Sequence, residues 1–189
     1  DEAFAGYRRL RFHAAEERVR SLLPSGMRQA VFGGLGRLYP KADWAPQAFR
    51  AKTTLLALAD DGAQAYARAI GVTTPATRDR LYTEPFRRSL GGHRGENRIV
   101  RSMRNAPARD GLDAAQYADF QHWLPGDILT KVDRTSMAVS LEAREPLLDH
   151  RLVELAATLP ASLRIRRGQG KWLMKQALEP WLPKEVLYR

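Results

Sequence analysis

Apolar residues recur along this chain at intervals of three and four, and almost nowhere in strict alternation. That is the period of helices burying one face, not of strands. Between Arg8 and Leu23, the residues Leu10, Ala14, Ala15, Val19, Leu22 and Leu23 share helical spacing, and Pro24 stops the run. Met27 to Leu38 predicts a weaker helix, diluted by Gly33, Gly34 and Gly36 and closed at Tyr39-Pro40. Pro46 to Leu58 predicts a third, with Pro46 near its first turn. Asp61 to Ile70 ends at Gly71, and Thr74 to Tyr82 opens on Thr74 as N-cap and Pro75 at the first helical position. Residues 84 to 110 break the pattern. Seven arginines, from Arg87 and Arg88 to Arg104 and Arg109, crowd around Gly91-Gly92 and Gly95. This predicts an exposed loop with a short helix near Asn97 to Met103, and a lobe boundary near Pro107 to Gly111. The chain then divides into residues 1–110 and 111–189. In the second part, Ala114 to Leu124 is helical and stopped by Pro125, Gly126 to Leu141 forms a long helix, and Leu147 to Leu159 carries a stripe of Leu148, Leu152, Leu155, Ala156 and Leu159. Lys171 to Leu178 is the last clear helix, and short strands fit near Leu163 to Arg166. The fold class read from this pattern is mainly α.

Composition narrows the class without changing that picture. With 189 residues, 44% hydrophobic and 28% charged, the chain suits one globular domain, with two lobes, and can bury a core. It has no apolar run of about 18 residues that would span a membrane. The start, Asp1-Glu2-Ala3-Phe4, lacks both the layout of a signal peptide and an initiator methionine, so a piece of a longer protein is expected. The absence of cysteine removes disulfides, thiolate metal sites and cysteine nucleophiles, and it suits the cytoplasm. A net charge of +10 points either to an anionic partner or to arginine standing in for lysine on solvated faces. Many alanines, prolines and arginines beside few lysines favour the second.

Candidate chemistry concentrates between Leu124 and His150. Asp127, Lys131, Asp133, Arg134, Glu142, Arg144 and Asp149 interrupt an otherwise apolar helical stretch. Charges of this density are paired, or they line a site for a charged ligand. Asp127 stands four residues before Lys131 and can pair with it, and it also follows Pro125-Gly126, where an N-cap is expected. Glu142 and Arg144, just before Pro146, read as a buried or half-buried structural network at a helix end, and Asp149 as the cap of the next helix. Asp133 could orient Arg134, whose guanidinium suits a carboxylate or phosphate. His150 reads as a packed or surface histidine. Lys171 and Lys175 form either a cationic edge facing a nucleotide or, more ordinarily, a solvated face opposite Trp172, Leu173 and Leu178.

The run from Lys131-Val132-Asp133-Arg134 through Ser136-Met137-Ala138, Ser140-Leu141-Glu142 and Arg144 to Pro146, Leu148-Asp149-His150 resembles the C-terminal synthetase domain of glutamine-hydrolysing asparagine synthetases. Two further pieces follow the same order. Asp1-Glu2-x-Phe4-Ala5-Gly6-Tyr7 is similar to the end of that family's Gly-x-Gly-Ala-Asp-Glu-x-Phe-x-Gly-Tyr motif. Gly170-Lys171-Trp172-Leu173-Met174-Lys175, followed by Leu182-Pro183, is similar to its C-terminal Gly-Lys helix and Leu-Pro turn. Residues 20 to 110 match no motif.

The resemblance implies an ATP-dependent amidotransferase that adenylates a carboxylate with ATP and Mg²⁺ and then transfers ammonia from glutamine. It implies the helical C-terminal portion of an adenine-nucleotide α-hydrolase-like (PP-loop) synthetase domain, lacking the parallel sheet and the Ser-Gly-Gly-x-Asp-Ser phosphate loop. The expected partners are an N-terminal glutaminase domain, the PP-loop sheet, a small-molecule carboxylate and a second subunit in a homodimer, with neither membrane nor nucleic acid. Asp1 then matches the Mg²⁺-holding aspartate and Glu2 its neighbour at the nucleotide. Lys131, with Arg134, matches cations facing the phosphates and the acyl-adenylate. Without the phosphate loop, the 189 residues alone are expected to be inactive and to bind no metal. The rival reading is a basic helical module that binds nucleic acid or another polyanion. It rests on the charge and the arginines of 84–109; no nucleic-acid motif supports it.

Overall fold

A computed structural model describes residues 1–40 and 51–188. The described chain is mainly helical, with one two-stranded antiparallel hairpin. It divides into two compact units, His13–Asn105 on one side and Asp1–Phe12 with Ala106–Arg189 on the other. No helix among the described residues is long and apolar enough to cross a membrane.

Helix α1 (Arg8–Leu22) belongs to the unit His13–Asn105 from His13 onward and is followed there by α2 (Ser25–Arg28) and α3 (Gly34–Leu38), joined by a π-helical turn over Gln29–Gly33. Gly36 is buried against Leu55 and Leu56 of α4 (Ala51–Ala59), and a methyl group there would press on the Leu56 side chain. The predicted start of this helix, Pro46 to Arg50, lies outside the described residues. Arg20 is buried. It bonds Glu17 at 2.7 Å, Glu16 at 2.9 Å and the Ala57 carbonyl at 2.7 Å, so its charge is compensated where it is desolvated. Helix α5 (Gly62–Ile70) starts where the Asp61 carboxylate accepts from the Ala63 N–H at 3.1 Å, and α6 (Pro75–Leu81) starts where Thr74 accepts from Thr77. The core joins α5 to α8 (Glu96–Arg104) through Tyr66, Ala63, Ala67, Val100 and Met103, and the His13 and Tyr66 rings meet at 5.0 Å.

Over 84–110 the expected short helix is α8, and a second helix stands where only exposed loop was expected. Helix α7 (Glu84–Ser89) opens with Pro85 in its first turn, and Phe86 packs edge-on against Tyr82 at 4.9 Å. The Arg87 guanidinium satisfies the carbonyls of Asp79 and Tyr82 at the end of α6. An arginine-rich string with no apolar period was helical through these local bonds, which periodicity does not register. Gly91 and Gly92 take φ +55° and +78° in the turn between α7 and α8.

In the other unit, α9 (Gly111–Ala118), a π-helical stretch (Asp119–Leu129) and α10 (Thr130–Met137) form one uninterrupted helix. Pro125 therefore does not stop it. The wider π turn relieves the clash of the proline ring with the carbonyl four residues back, and the Thr130 hydroxyl donates to the Pro125 carbonyl at 2.7 Å. Asp127 consequently sits inside the helix and not at its N-cap. The helix ends at Met137, not Leu141. Ser140 takes φ +58°, Leu141 N–H bonds Ser136 O at 3.0 Å and Ser140 N–H bonds Met137 O at 3.0 Å, which is a Schellman termination. A short 3₁₀ turn (Pro146–Leu148) leads to α11 (His150–Thr158), then α12 (Ala161–Arg164). Strands β1 (Ile165–Arg166) and β2 (Gln169–Gly170) pair Ile165 with Gly170 across an Arg167-Gly168 turn in which both residues have positive φ. Helices α13 (Trp172–Leu178) and α14 (Lys184–Leu187) complete the chain. Leu10, Leu112, Ala115, Ala118, Leu124, Ala156 and Ile165 form the core. Of the stripe read on α11, Ala156 is buried whereas Leu155 is exposed.

Candidate active site

The first seven residues fold into a tight turn that the end of the chain closes. Gly6 N–H bonds Asp1 O at 2.8 Å, Ala5 sits at φ +53°, and Lys171 N–H bonds Phe4 O at 2.9 Å. Lys171 itself takes φ +57° at the start of α13, which turns its side chain back so that its ammonium pairs with the Asp1 carboxylate. Two glycines make the closure possible. A methyl group on Gly6 would strike both Asp1 and the Lys171 stem, and one on Gly170 would strike the Ala5 carbonyl. The two terminal motifs thus meet in space. Reading Lys171 as one of a solvated lysine pair missed this; its only sequence signal was its place in the Gly170-Lys171 motif.

Glu2 points the other way. It is buried and accepts the Tyr7 hydroxyl at 3.0 Å. Burial, then the hydrogen bond to Glu2, pushes the Tyr7 phenol above its ordinary pKa. Arg9 lies over the rings of Tyr7 at 4.1 Å and Trp123 at 4.4 Å and pairs with the fully buried Asp119 at 2.9 Å.

Behind the turn runs a chain of polar contacts. Gln116 is buried, and its amide nitrogen donates to the carbonyls of Glu2 and of Ala3, the latter at 3.1 Å. Its amide oxygen accepts from Arg164, which is also buried and pairs with Asp113. Asp113 in addition takes Arg109 at 2.9 Å, and Arg109 forks onto the carbonyls of Ala157, Thr158 and Leu159 at 2.7–2.9 Å. Burial raises the Asp113 pKa, but the hydrogen bonds from Arg109 and Arg164 outweigh it and hold the carboxyl below its ordinary value. Sequence reasoning missed Gln116, Asp113 and Arg164, because the bonds that join them to one another and to the first turn span 48 to 114 positions.

The other candidates lie along α10 and beyond. Lys131 is exposed and pairs with Asp127 at 2.9 Å, one turn back on its own helix. Arg134 and Asp133 are exposed on the same helix. Glu142 and Arg144 pair at 3.0 Å, with 69% and 81% of their side chains exposed, so the burial expected of them is not found. Five residues without regular secondary structure between the Schellman turn and Pro146 leave them on the surface. Asp149 accepts from Arg151 N–H at 2.9 Å and caps α11; its bonds from Arg151 depress its pKa. His150 is exposed.

As a place for Mg²⁺, the turn offers the exposed Asp1 carboxylate, which packs against Gly6 and pairs with Lys171. One carboxylate is the protein share Mg²⁺ takes where phosphates and water supply the rest. Among the described residues no group of three His, Asp or Glu could hold an ion unaided. Lys171 is the cation beside that carboxylate.

The asparagine synthase family model matches residues 1–189. A Mycobacterium tuberculosis protein provisionally assigned as a glutamine-hydrolysing asparagine synthetase is 44% identical over 80 residues, 42% of this chain and 12% of that protein. The Bacillus subtilis glutamine-hydrolysing asparagine synthetase 1 is 31% identical over 115 residues, 58% of this chain and 18% of the relative. That of Gallus gallus is 47% identical over 66 residues, 33% and 12% respectively. The chain thus spans less than a fifth of the length of these curated relatives. No solved structure matches it significantly. With the family's model matched from the first residue to the last, the chain belongs to the asparagine synthase family.

Proposed function

We propose that the chain is part of an ATP-dependent amide ligase. A carboxylate oxygen attacks the α-phosphorus of ATP and pyrophosphate leaves; ammonia from glutamine then attacks the acyl carbon and AMP leaves. The observation that carries this reading is the turn in which Lys171 closes on Asp1, because it joins two family motifs 170 positions apart into one cationic and anionic pair. In the reaction, Asp1 offers its carboxylate to Mg²⁺, which supplies charge neutralisation on the triphosphate. The ammonium of Lys171 would then pass from Asp1 to the leaving pyrophosphate or to the phosphate of the acyl-adenylate. Lys131, with Arg134 one turn further along α10, supplies a second cationic face once Asp127 yields.

The phosphate loop, the parallel sheet and the glutaminase domain belong to the remainder of the ligase, which this reading places in the cytoplasm. The 189 residues alone are then inactive. The test is isotopic pyrophosphate–ATP exchange. The isolated chain should show none above background, and exchange at a rate typical of an adenylating enzyme would overturn that part of the reading.

A further inference from the structure

We propose that Gln116 is a positioning residue that aims the Asp1 carboxylate, with Arg164 and Asp113 fixing the sense of its amide. The proposal rests on the ligase reading above for its consequence in catalysis, though not for its geometry. An amide can be turned over, but this one has a single workable orientation. Its oxygen faces the Arg164 guanidinium, which only donates, and its nitrogen faces the carbonyls of Glu2 and Ala3, which only accept. Turning it over would set N–H against guanidinium and oxygen against two carbonyls. Arg164 is locked in turn by Asp113, and Asp113 by Arg109, whose fork holds the last carbonyls of α11.

The bonds run without a break from the end of α11 to the turn that carries Asp1, with Arg109 and Arg164 both donating to Asp113. α11 is the helix capped by Asp149, so the network ties the long central motif to the first one. Gln116 is 4% exposed and Arg164 is 2% exposed, which keeps water from substituting for either partner. The two carbonyls Gln116 holds belong to the residues directly after Asp1, so losing them loosens a turn whose backbone is otherwise tied by Gly6 N–H to Asp1 O and Lys171 N–H to Phe4 O.

The discriminating variant is Gln116→Glu. It keeps the volume and an ion pair to Arg164, but it presents oxygen, not N–H, to both carbonyls. In the 189-residue chain, amide hydrogen exchange at Gly6 and Lys171 should quicken at least tenfold, while the amides of α5 and α8 stay within twofold. Unchanged exchange at Gly6 and Lys171 overturns the proposal, and quickening across α5 and α8 as well shows general unfolding and overturns it too. In the full-length ligase, Gln116→Glu should raise the Mg²⁺ concentration for half-maximal pyrophosphate–ATP exchange at least fivefold, with the KM for the carboxylate within twofold. An unchanged Mg²⁺ dependence beside quickened amide exchange also overturns it. Absence of exchange in the unsubstituted full-length protein would instead remove the ligase reading, and the amide exchange would then decide the positioning claim alone.

Discussion

Asp113 receives two guanidiniums, and its side chain is only 12% exposed. Replacing it with alanine strands Arg164 in the interior, a change that typically costs about 3–5 kcal/mol. Its folded pKa is depressed, so its contribution is complete above the unfolded aspartate value of about 4 and is lost as pH falls through the lower folded value. Thermal unfolding followed from pH 6 to pH 2.5 should show stability falling at the acid end. Asp113→Asn should flatten that fall, and an equally steep fall in the variant would remove Asp113 as its source. Gly6→Ala should behave differently: the new methyl meets Asp1 and Lys171, so the closed turn is lost while helix content is kept. Circular dichroism with amide exchange at Lys171 separates the two effects. Apart from the i,i+4 pair of Arg109 and Asp113, these contacts were not legible in the sequence, because Gln116, Asp113 and Arg164 look like ordinary helix-surface residues until distant chain is brought against them.

At the scale of elements, local chemistry was legible and long-range relief was not. Thr74-Pro75 and Asp61 marked their helix starts because a cap bonds residues two or three positions on. Asp61→Ala should therefore cost about 0.5–2 kcal/mol by urea unfolding, with faster amide exchange in the first turn of α5. A cost near zero would mean the cap is idle. Pro125 misled for the opposite reason: the rule that proline ends a helix assumes α geometry, and the π stretch Asp119–Leu129 removes the clash. The Schellman turn at Ser140 escaped notice because glycine, its usual residue, is absent there.

Across the whole chain, charge is unevenly spread. Between His13 and Asn105 there are sixteen Lys and Arg against eight Asp and Glu, so that stretch holds +8 of the net +10. Several of its acids are already taken: Glu16 and Glu17 by Arg20, Asp60 by Arg68, Asp61 by Arg104 and Glu96 by Arg78. The polyanion reading draws on this stretch, whereas the family motifs lie outside it. Titration with duplex and single-stranded DNA at two salt concentrations should give only weak binding; tight, steeply salt-dependent binding would restore that reading.

The central claim is that these residues form part of a carboxylate-adenylating site and need the rest of the ligase to work. Isotopic pyrophosphate–ATP exchange in the full-length protein, with and without Lys171→Ala, tests it most directly. The account predicts exchange that requires a carboxylate substrate and falls at least a hundredfold in the variant. Carboxylate-independent exchange, or exchange indifferent to Lys171, would contradict it.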